Sequence, residues 1–222
     1  MVLKTKKSDI KKYLDSIKKL QNKLESAEAV IINAGKGLLL SAGFYSEDYF
    51  KVFFGEFEEK YDFHDMSAGE YYSYQSPEKY RAFWSRFIYY NCFYFGPKKV
   101  FKDLLSLIEN KKYFITTTDP FNQFDVANFD TQKIHYECGS YRLFQCSKPC
   151  NKELYDSKEW VSNMVSTQKD LKVPEDLIPK CPNCGSPLTM HILYGDKFLK
   201  IKPLVIQERD MHVFGVNIPT PM

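Results

Sequence analysis

The chain has 222 residues, of which 44% are hydrophobic and 27% charged, with 31 Lys and Arg against 28 Asp and Glu for a net charge of +3. That length suits one core with room for a small inserted module, and the balance excludes a disordered or fibrous chain. A charge of +3, with lysines interspersed among acids as in SDIKKYLDSIKKLQNKLE, describes a solvated helix face and argues against a nucleic-acid partner.

No apolar run approaches the roughly 18 residues that a membrane helix needs. The N-terminal MVLKTKKSDIKKYL has lysines but no apolar signal core, which predicts a cytoplasmic address and reduced thiols.

Ser8 is a candidate N-cap, and Ile10, Tyr13, Leu14, Ile17, Leu20 and Leu24 follow at helical spacing. The run AVII (residues 29–32) reads as a buried strand and opens into the glycine-punctuated turn NAGKGLLLSAGF (residues 33–44). A second helix carries Phe50, Phe53, Phe54 and Phe57. Ser76-Pro77-Glu78 caps a third, through Phe83, Trp84, Phe87 and Ile88. Pro97 opens a fourth, with Val100, Phe101, Leu104, Leu105 and Ile108 on one face. KYFITTT reads as a strand, and so does KIHYE (residues 133–137). Strands alternating with helices predict a parallel sheet with helical crossovers, a Rossmann-like α/β fold. Aromatic residues are dense between 44 and 95, which reads as a helical insertion on the sheet or as a docking face for an acceptor protein.

From Cys146 to Gly185 the texture changes. Cys146 and Cys150 are three residues apart in between, Cys181 and Cys184 two, and thirty residues separate the pairs. Two short thiol turns of this kind complete a tetrahedral four-thiolate shell suited to a structural zinc, leaving no open position for chemistry. Beyond residue 200, PLVIQ and HVFGVNIP read as short strands before PTPM, so the sheet is expected to be incomplete on its C-terminal side. The organisation expected is residues 1–144 for the Rossmann-like region with its aromatic insertion, 145–190 for the four-cysteine module, and 191–222 for a short return to the sheet.

A glycine-rich loop after the first strand, a threonine-rich strand end, a Cys-Gly dipeptide and then four cysteines: this order resembles the sirtuins, and more closely the macrodomain-linked sirtuins of microbes. SAGF, KYDFHDM, WSRFIYYN, YFITTT, FQCSKPC and LIPKCPNCGSPLTM carry the similarity, across roughly residues 10–198. The resemblance implies a Rossmann-like domain with a small zinc domain. It also implies NAD as the bound dinucleotide, and transfer of ADP-ribose from NAD to protein. A lipoylated carrier protein and a macrodomain hydrolase are the partners it implies.

Carried over by position, Ala34, Gly35, Gly37, Ser41, Ala42, Gly43, Phe44 and Thr118 would hold the dinucleotide. Asn33 stands where the family has the first glycine of Gly-Ala-Gly, and Lys36 points either to a pyrophosphate or to solvent. The chemical positions depart from the family. Asp119 replaces the asparagine that handles the nicotinamide ribose, and Phe121 replaces the aspartate that reads the nicotinamide amide. Cys138 stands before Gly139 where the family has His or Gln, and it would act as a base only with a depressed pKa, His135 being the one basic neighbour in sequence. Asp119 and Cys138 are thus degenerate catalytic positions. Three readings remain open: an ADP-ribosyltransferase with a drifted site, a catalytically inactive zinc-containing binding module, and a truncated gene product.

Overall fold

The computed structural model describes residues 7–193, with side chains from Asp9 onward. The expected cap at Ser8 and the tail strands beyond residue 200 lie outside the described side chains or residues. The first helix, α1 (Lys7–Ser26), has the amphipathic spacing read from sequence. Leu24 packs against the core, while Ile10, Tyr13, Leu14 and Leu20 of the same stripe are exposed.

β1 (Ala29–Ala34) pairs in parallel with β2 (Lys112–Thr117), from Ala29 opposite Lys112 to Ala34 opposite Thr117. β3 (Ile134–Tyr136) adds in parallel to the far side of β2. The parallel sheet expected from the alternation is therefore present, in the order β1-β2-β3.

The chain between β1 and β2 is helical. α2 (Lys36–Ser41), α3 (Glu47–Tyr61), α4 (Met66–Tyr71) and α5 (Pro77–Ile88) follow in turn, and α5 runs on into a π-helix at Tyr89–Tyr94. α6 (Lys99–Ile108) then leads into β2. Short side chains set the starts of three of these helices. Ser46 Oγ accepts from the Tyr49 N–H at 3.2 Å, an Asp65 carboxylate oxygen from Ala68 N–H at 2.9 Å, and Ser76 Oγ from Lys79 N–H at 3.4 Å, with Pro77 at the first helical position.

The aromatic residues are the core of this block. Phe54 meets Phe57 and Phe83, and Phe83 reaches Phe87 at 5.9 Å, so the rings run continuously between α3 and α5. Phe50, Phe54, Phe57, Phe83 and Phe87 are all buried. Burial of one such ring stabilises the fold by about 2 kcal/mol, which is why so many short helices hold together.

A second sheet is antiparallel, with β4 (Gly139–Cys146) between β5 (Tyr155–Asp156) and β6 (Leu188–Ile192). β4 thus begins before residue 145 and runs into the first cysteine pair. α8 (Lys158–Thr167) lies beside this sheet, with Trp160 stacked on Phe144 at 6.2 Å. Arg81 of α5 is buried and donates to the Leu188 carbonyl, and Val173 N–H donates to the Glu78 carbonyl at 3.2 Å. α5 thus reaches the second sheet, and Tyr141 N–H of β4 donates to the Pro120 carbonyl in the segment after β2 at 3.0 Å.

Candidate functional site

In an open parallel sheet, ligands bind outside the C-terminal ends of the strands. Two loops meet there: the turn after β1 and the segment 118–126 after β2. Thr118 N–H donates to the Ala34 carbonyl at 3.0 Å, extending the ladder by one bond beyond the strands. A Cβ on Gly35 would lie 2.9 Å from Thr118 Oγ1, so this close approach requires glycine. Asn33 receives the Thr116 hydroxyl on its side-chain oxygen, which fixes the residue that departs from the family's first glycine. Gly43 and Tyr45 are both left-handed, with φ of 86° and 63°.

The structure brings Ala34, Gly35 and Thr118 together. It uses Ala42, Gly43 and Phe44 differently, because their N–H groups donate to carbonyls of Leu38, Leu40 and Leu39 and close the last turn of α2. The Ser41 hydroxyl likewise donates to the Leu38 carbonyl at 2.7 Å. Gly37 has open space where a side chain would go. Phe44 is buried and its ring lies 5.6 Å from Phe121.

Phe121 is itself fully buried. Its ring stacks on Tyr45 at 5.8 Å and 21°, and meets Phe87 at 5.6 Å and Tyr141 at 5.9 Å. The position that would read an amide is packed into the aromatic core.

Asp119 is also committed locally. One carboxylate oxygen accepts from Phe121 N–H at 2.8 Å, the other from Gln123 N–H at 2.9 Å, which starts the short helix α7 (Gln123–Val126). Burial pushes this carboxyl up to about 6, against the lowering effect of those two N–H groups, with Asp125 adding to the rise. The loop is held further by Tyr136 OH donating to Asp125 at 2.7 Å and by Ser140 Oγ donating to Asn122. Gln123 is buried, its amide N–H donates to the Asn91 carbonyl at 2.9 Å, and its side-chain oxygen has no protein partner.

Cys138 lies half-buried in the turn between β3 and β4, where its carbonyl accepts from Leu193 N–H at 3.0 Å. Burial raises its thiol pKa, and the neighbouring Glu137 raises it further. A thiol shifted upward is protonated near neutrality, so it lacks the depressed pKa that a base in this place needs. His135 sits on β3 opposite Thr116.

Two residues at this mouth had no motif to reveal them. Tyr45 covers the loop, with the Lys36 ammonium 4.5 Å above its ring. Glu70 of α4 is half-buried, and burial pushes its carboxyl up to about 7, with Lys36 opposing and Asp65 adding to the shift. A lone carboxylate among tyrosines gives no spacing signal; only its electrostatic reach to Lys36 and Tyr45 in the folded chain shows it.

The cysteines converge as their spacing predicts. The Sγ atoms of Cys146, Cys150, Cys181 and Cys184 all lie within 4.8 Å of one another. Cys146 and Cys184, and Cys150 and Cys181, stand 3.5 Å apart, far longer than a disulfide and close to the edge of a zinc–thiolate tetrahedron, about 3.8 Å from a Zn–S bond of about 2.3 Å. Outer groups support them: Lys148 N–H donates to Cys146 Sγ at 3.4 Å and the Asn183 amide to Cys150 Sγ at 3.3 Å. Gly185 takes a left-handed φ of 69° to turn the second knuckle. Hydrogen bonds from Ser186 lower the Cys184 thiol, whereas that of Cys150 is raised, against the Asn183 hydrogen bond, by burial and the neighbouring thiols. The donor set, spacing and supporting shell fit a tetrahedral zinc. Among the described residues, no helix is long and apolar enough to cross a membrane.

No protein-family model matches the chain. A protein ADP-ribosyltransferase of Staphylococcus aureus (strain Mu50) is 36% identical over 173 residues, which make up 78% of this chain and 55% of that protein. The chain thus spans little more than half the length of this curated relative. Among solved structures, a Sir2 homologue–NAD complex matches with a TM-score of 0.56 at 18% identity, over 82% of this chain and 63% of the other. A Sir2 homologue mutant with ADP ribose matches at 0.55 and 18%, over 87% and 68%. These structures share the fold, a Rossmann α/β sheet; the curated relative shares the sequence. The chain therefore has a Sir2-like Rossmann α/β fold and is similar in sequence to a protein ADP-ribosyltransferase.

Proposed function

We propose that this chain binds NAD at the mouth formed by Ala34, Gly35, Gly37 and Thr118, and that its capacity for ADP-ribosyl transfer to protein is reduced. The relative's name supplies the activity, and the sirtuin fold supplies the place for the dinucleotide. The observation that carries the reduction is the pair Asp119 and Phe121. Both oxygens of Asp119 are taken by backbone N–H groups, and Phe121 is locked among Phe44, Tyr45, Phe87 and Tyr141. A buried aromatic ring offers no hydrogen bond to an amide, and a site built for such bonds loses heavily without them. The raised Cys138 thiol adds a second loss at the position of the general base.

In the same reading, residues 1–144 form the dinucleotide-binding region and residues 145–190 a zinc module. Cys146, Cys150, Cys181 and Cys184 hold one structural zinc, which organises the module and takes no part in transfer. A lipoylated carrier protein as acceptor and a macrodomain hydrolase as the enzyme that reverses the modification follow from the resemblance to macrodomain-linked sirtuins.

Calorimetric titration with NAD and with ADP-ribose, followed by a transfer assay on a lipoylated carrier protein, tests the reading. Weak NAD binding with transfer at or barely above background is expected. Robust wild-type transfer abolished by Cys138→Ala would show that the thiol has taken a role in the site and would overturn the reduced-activity reading. A second reading, a catalytically inactive binding module, is favoured by the same buried Phe121; it requires ligand binding with no transfer at any enzyme concentration.

A further inference from the structure

The mouth carries a group that the reading above leaves unused. Lys36 is the first residue of α2, immediately after Gly35; it is exposed, and its ammonium lies 4.5 Å above the Tyr45 ring. Tyr45 is held under it: the residue is left-handed, with φ 63°, and its ring stacks on Phe121 at 5.8 Å and meets Phe87 edge-on at 6.5 Å. Non-glycine residues in that region are uncommon, and such strain persists only where the surroundings enforce it. Glu70 faces the same space from α4, within electrostatic reach of both Lys36 and the Tyr45 hydroxyl. Asp119, Tyr141 and Cys92 lie beyond that hydroxyl, and Asp65 stands on the far side of Glu70. Lys98 stands 5.0 Å from the Phe44 ring and Arg142 acts on Cys92, but among the described residues Lys36 is the cation over Tyr45, and no described carboxylate pairs with it within 4.0 Å.

We propose that Lys36, propped on Tyr45 and counterbalanced by Glu70, is a specificity-determining contact that selects ligands bearing a pyrophosphate at this mouth. Binding draws Lys36 from its balance with Glu70 to the ligand oxygens. The proposal rests on the dinucleotide-binding reading and adds to it the residue that recognises the anion. A carboxylate at Glu70 competes for Lys36 and repels the pyrophosphate, and protonation removes both effects. Since burial places its titration at about 7, anion binding strengthens as the pH falls from about 8 to about 6.5. Asp119 titrates lower, at about 6, and is already tied to two N–H groups, so it contributes little across that window.

The test is calorimetry on the full chain with ADP-ribose, NAD and uncharged adenosine, at pH about 6.5 and about 8. The variants are Lys36→Met, Glu70→Gln and Tyr45→Leu, with thermal melts to confirm that each folds. Wild type should bind ADP-ribose more tightly at the lower pH. Lys36→Met should weaken ADP-ribose by about tenfold while leaving adenosine unchanged, the size expected for one lost charge-assisted contact. Glu70→Gln should bind as well at pH 8 as wild type does at 6.5. Tyr45→Leu should weaken ADP-ribose less than Lys36→Met. If ADP-ribose binds and Lys36→Met changes nothing, or the pH dependence survives Glu70→Gln, this assignment is overturned while the dinucleotide reading stands. If no variant binds any of the three ligands, both fall together.

Discussion

Phe121 shows how one side chain can belong to the core and to the candidate site at once. It is buried against four aromatic neighbours, so restoring the family's aspartate there would place a carboxylate in a dry aromatic cluster. Phe121→Asp should lose several kcal/mol of stability, about 3 to 5 or more, before any recognition is regained. Denaturant melts measure this, and a variant as stable as wild type would mean the ring is less enclosed than the structure places it. Phe121→Leu should cost less, about 1–3 kcal/mol, because it stays apolar.

The carboxyls of Asp119 and Glu70 are both raised, to about 6 and about 7. An acid whose folded pKa lies above its unfolded value binds more protons folded than unfolded. Its contribution to stability is therefore present in full below the ordinary carboxylate range and is lost as pH rises through the folded value. Between about pH 4.5 and 7 these two groups should lower stability with rising pH, and Asp119→Asn with Glu70→Gln should flatten that slope in zinc-saturated protein.

At the scale of elements, the turn between β1 and α2 is set by its contact with the segment after β2. Gly35→Ala would bring a methyl to 2.9 Å from Thr118 Oγ1 and push the two loops apart. The variant should cost about 1–2 kcal/mol and weaken nucleotide binding, and Thr118→Ala in the same chain should restore part of both. An additive double mutant would sever the link between the loops. The start of α5 gives a simpler test. Ser76→Ala removes the acceptor for Lys79 N–H and should cost about 1 kcal/mol without altering zinc content.

For the whole molecule, α5 carries both halves. It contributes Phe83 and Phe87 to the aromatic core and sends Arg81 to the Leu188 carbonyl, and Leu188 pairs with Cys146 on β4. Metal loss should therefore spread beyond the cysteines. Purified protein should hold about one zinc per chain, and chelation should lower the melting temperature and expose tryptophan, since Trp84 lies between Phe87 and Tyr141. A folded, reduced sample with no zinc and an unchanged melt would remove the metal from this account. Any one of the four cysteines changed to serine should act like chelation.

Local patterns were enough for much of this molecule. The period of Phe50, Phe53, Phe54 and Phe57 marks α3, the Ser76-Pro77 pair marks the start of α5, and β-branched runs mark β1 and β2, because each signal lies within a few residues of the element it makes. Cysteine spacing likewise foretold the cluster, since two thiols on one short turn can meet only one partner pair. The fate of the candidate site was decided by contacts across the chain. Nothing adjacent to Phe121 says that rings from residues 44, 45, 87 and 141 close around it, nor that Asp119 turns both oxygens to its own backbone. Glu70 and Lys36 are 34 positions apart in sequence and come within electrostatic reach of each other only in the folded chain. Burial and electrostatic reach are properties of the folded assembly, so sequence could name the degenerate positions, and tertiary structure alone showed which had become core.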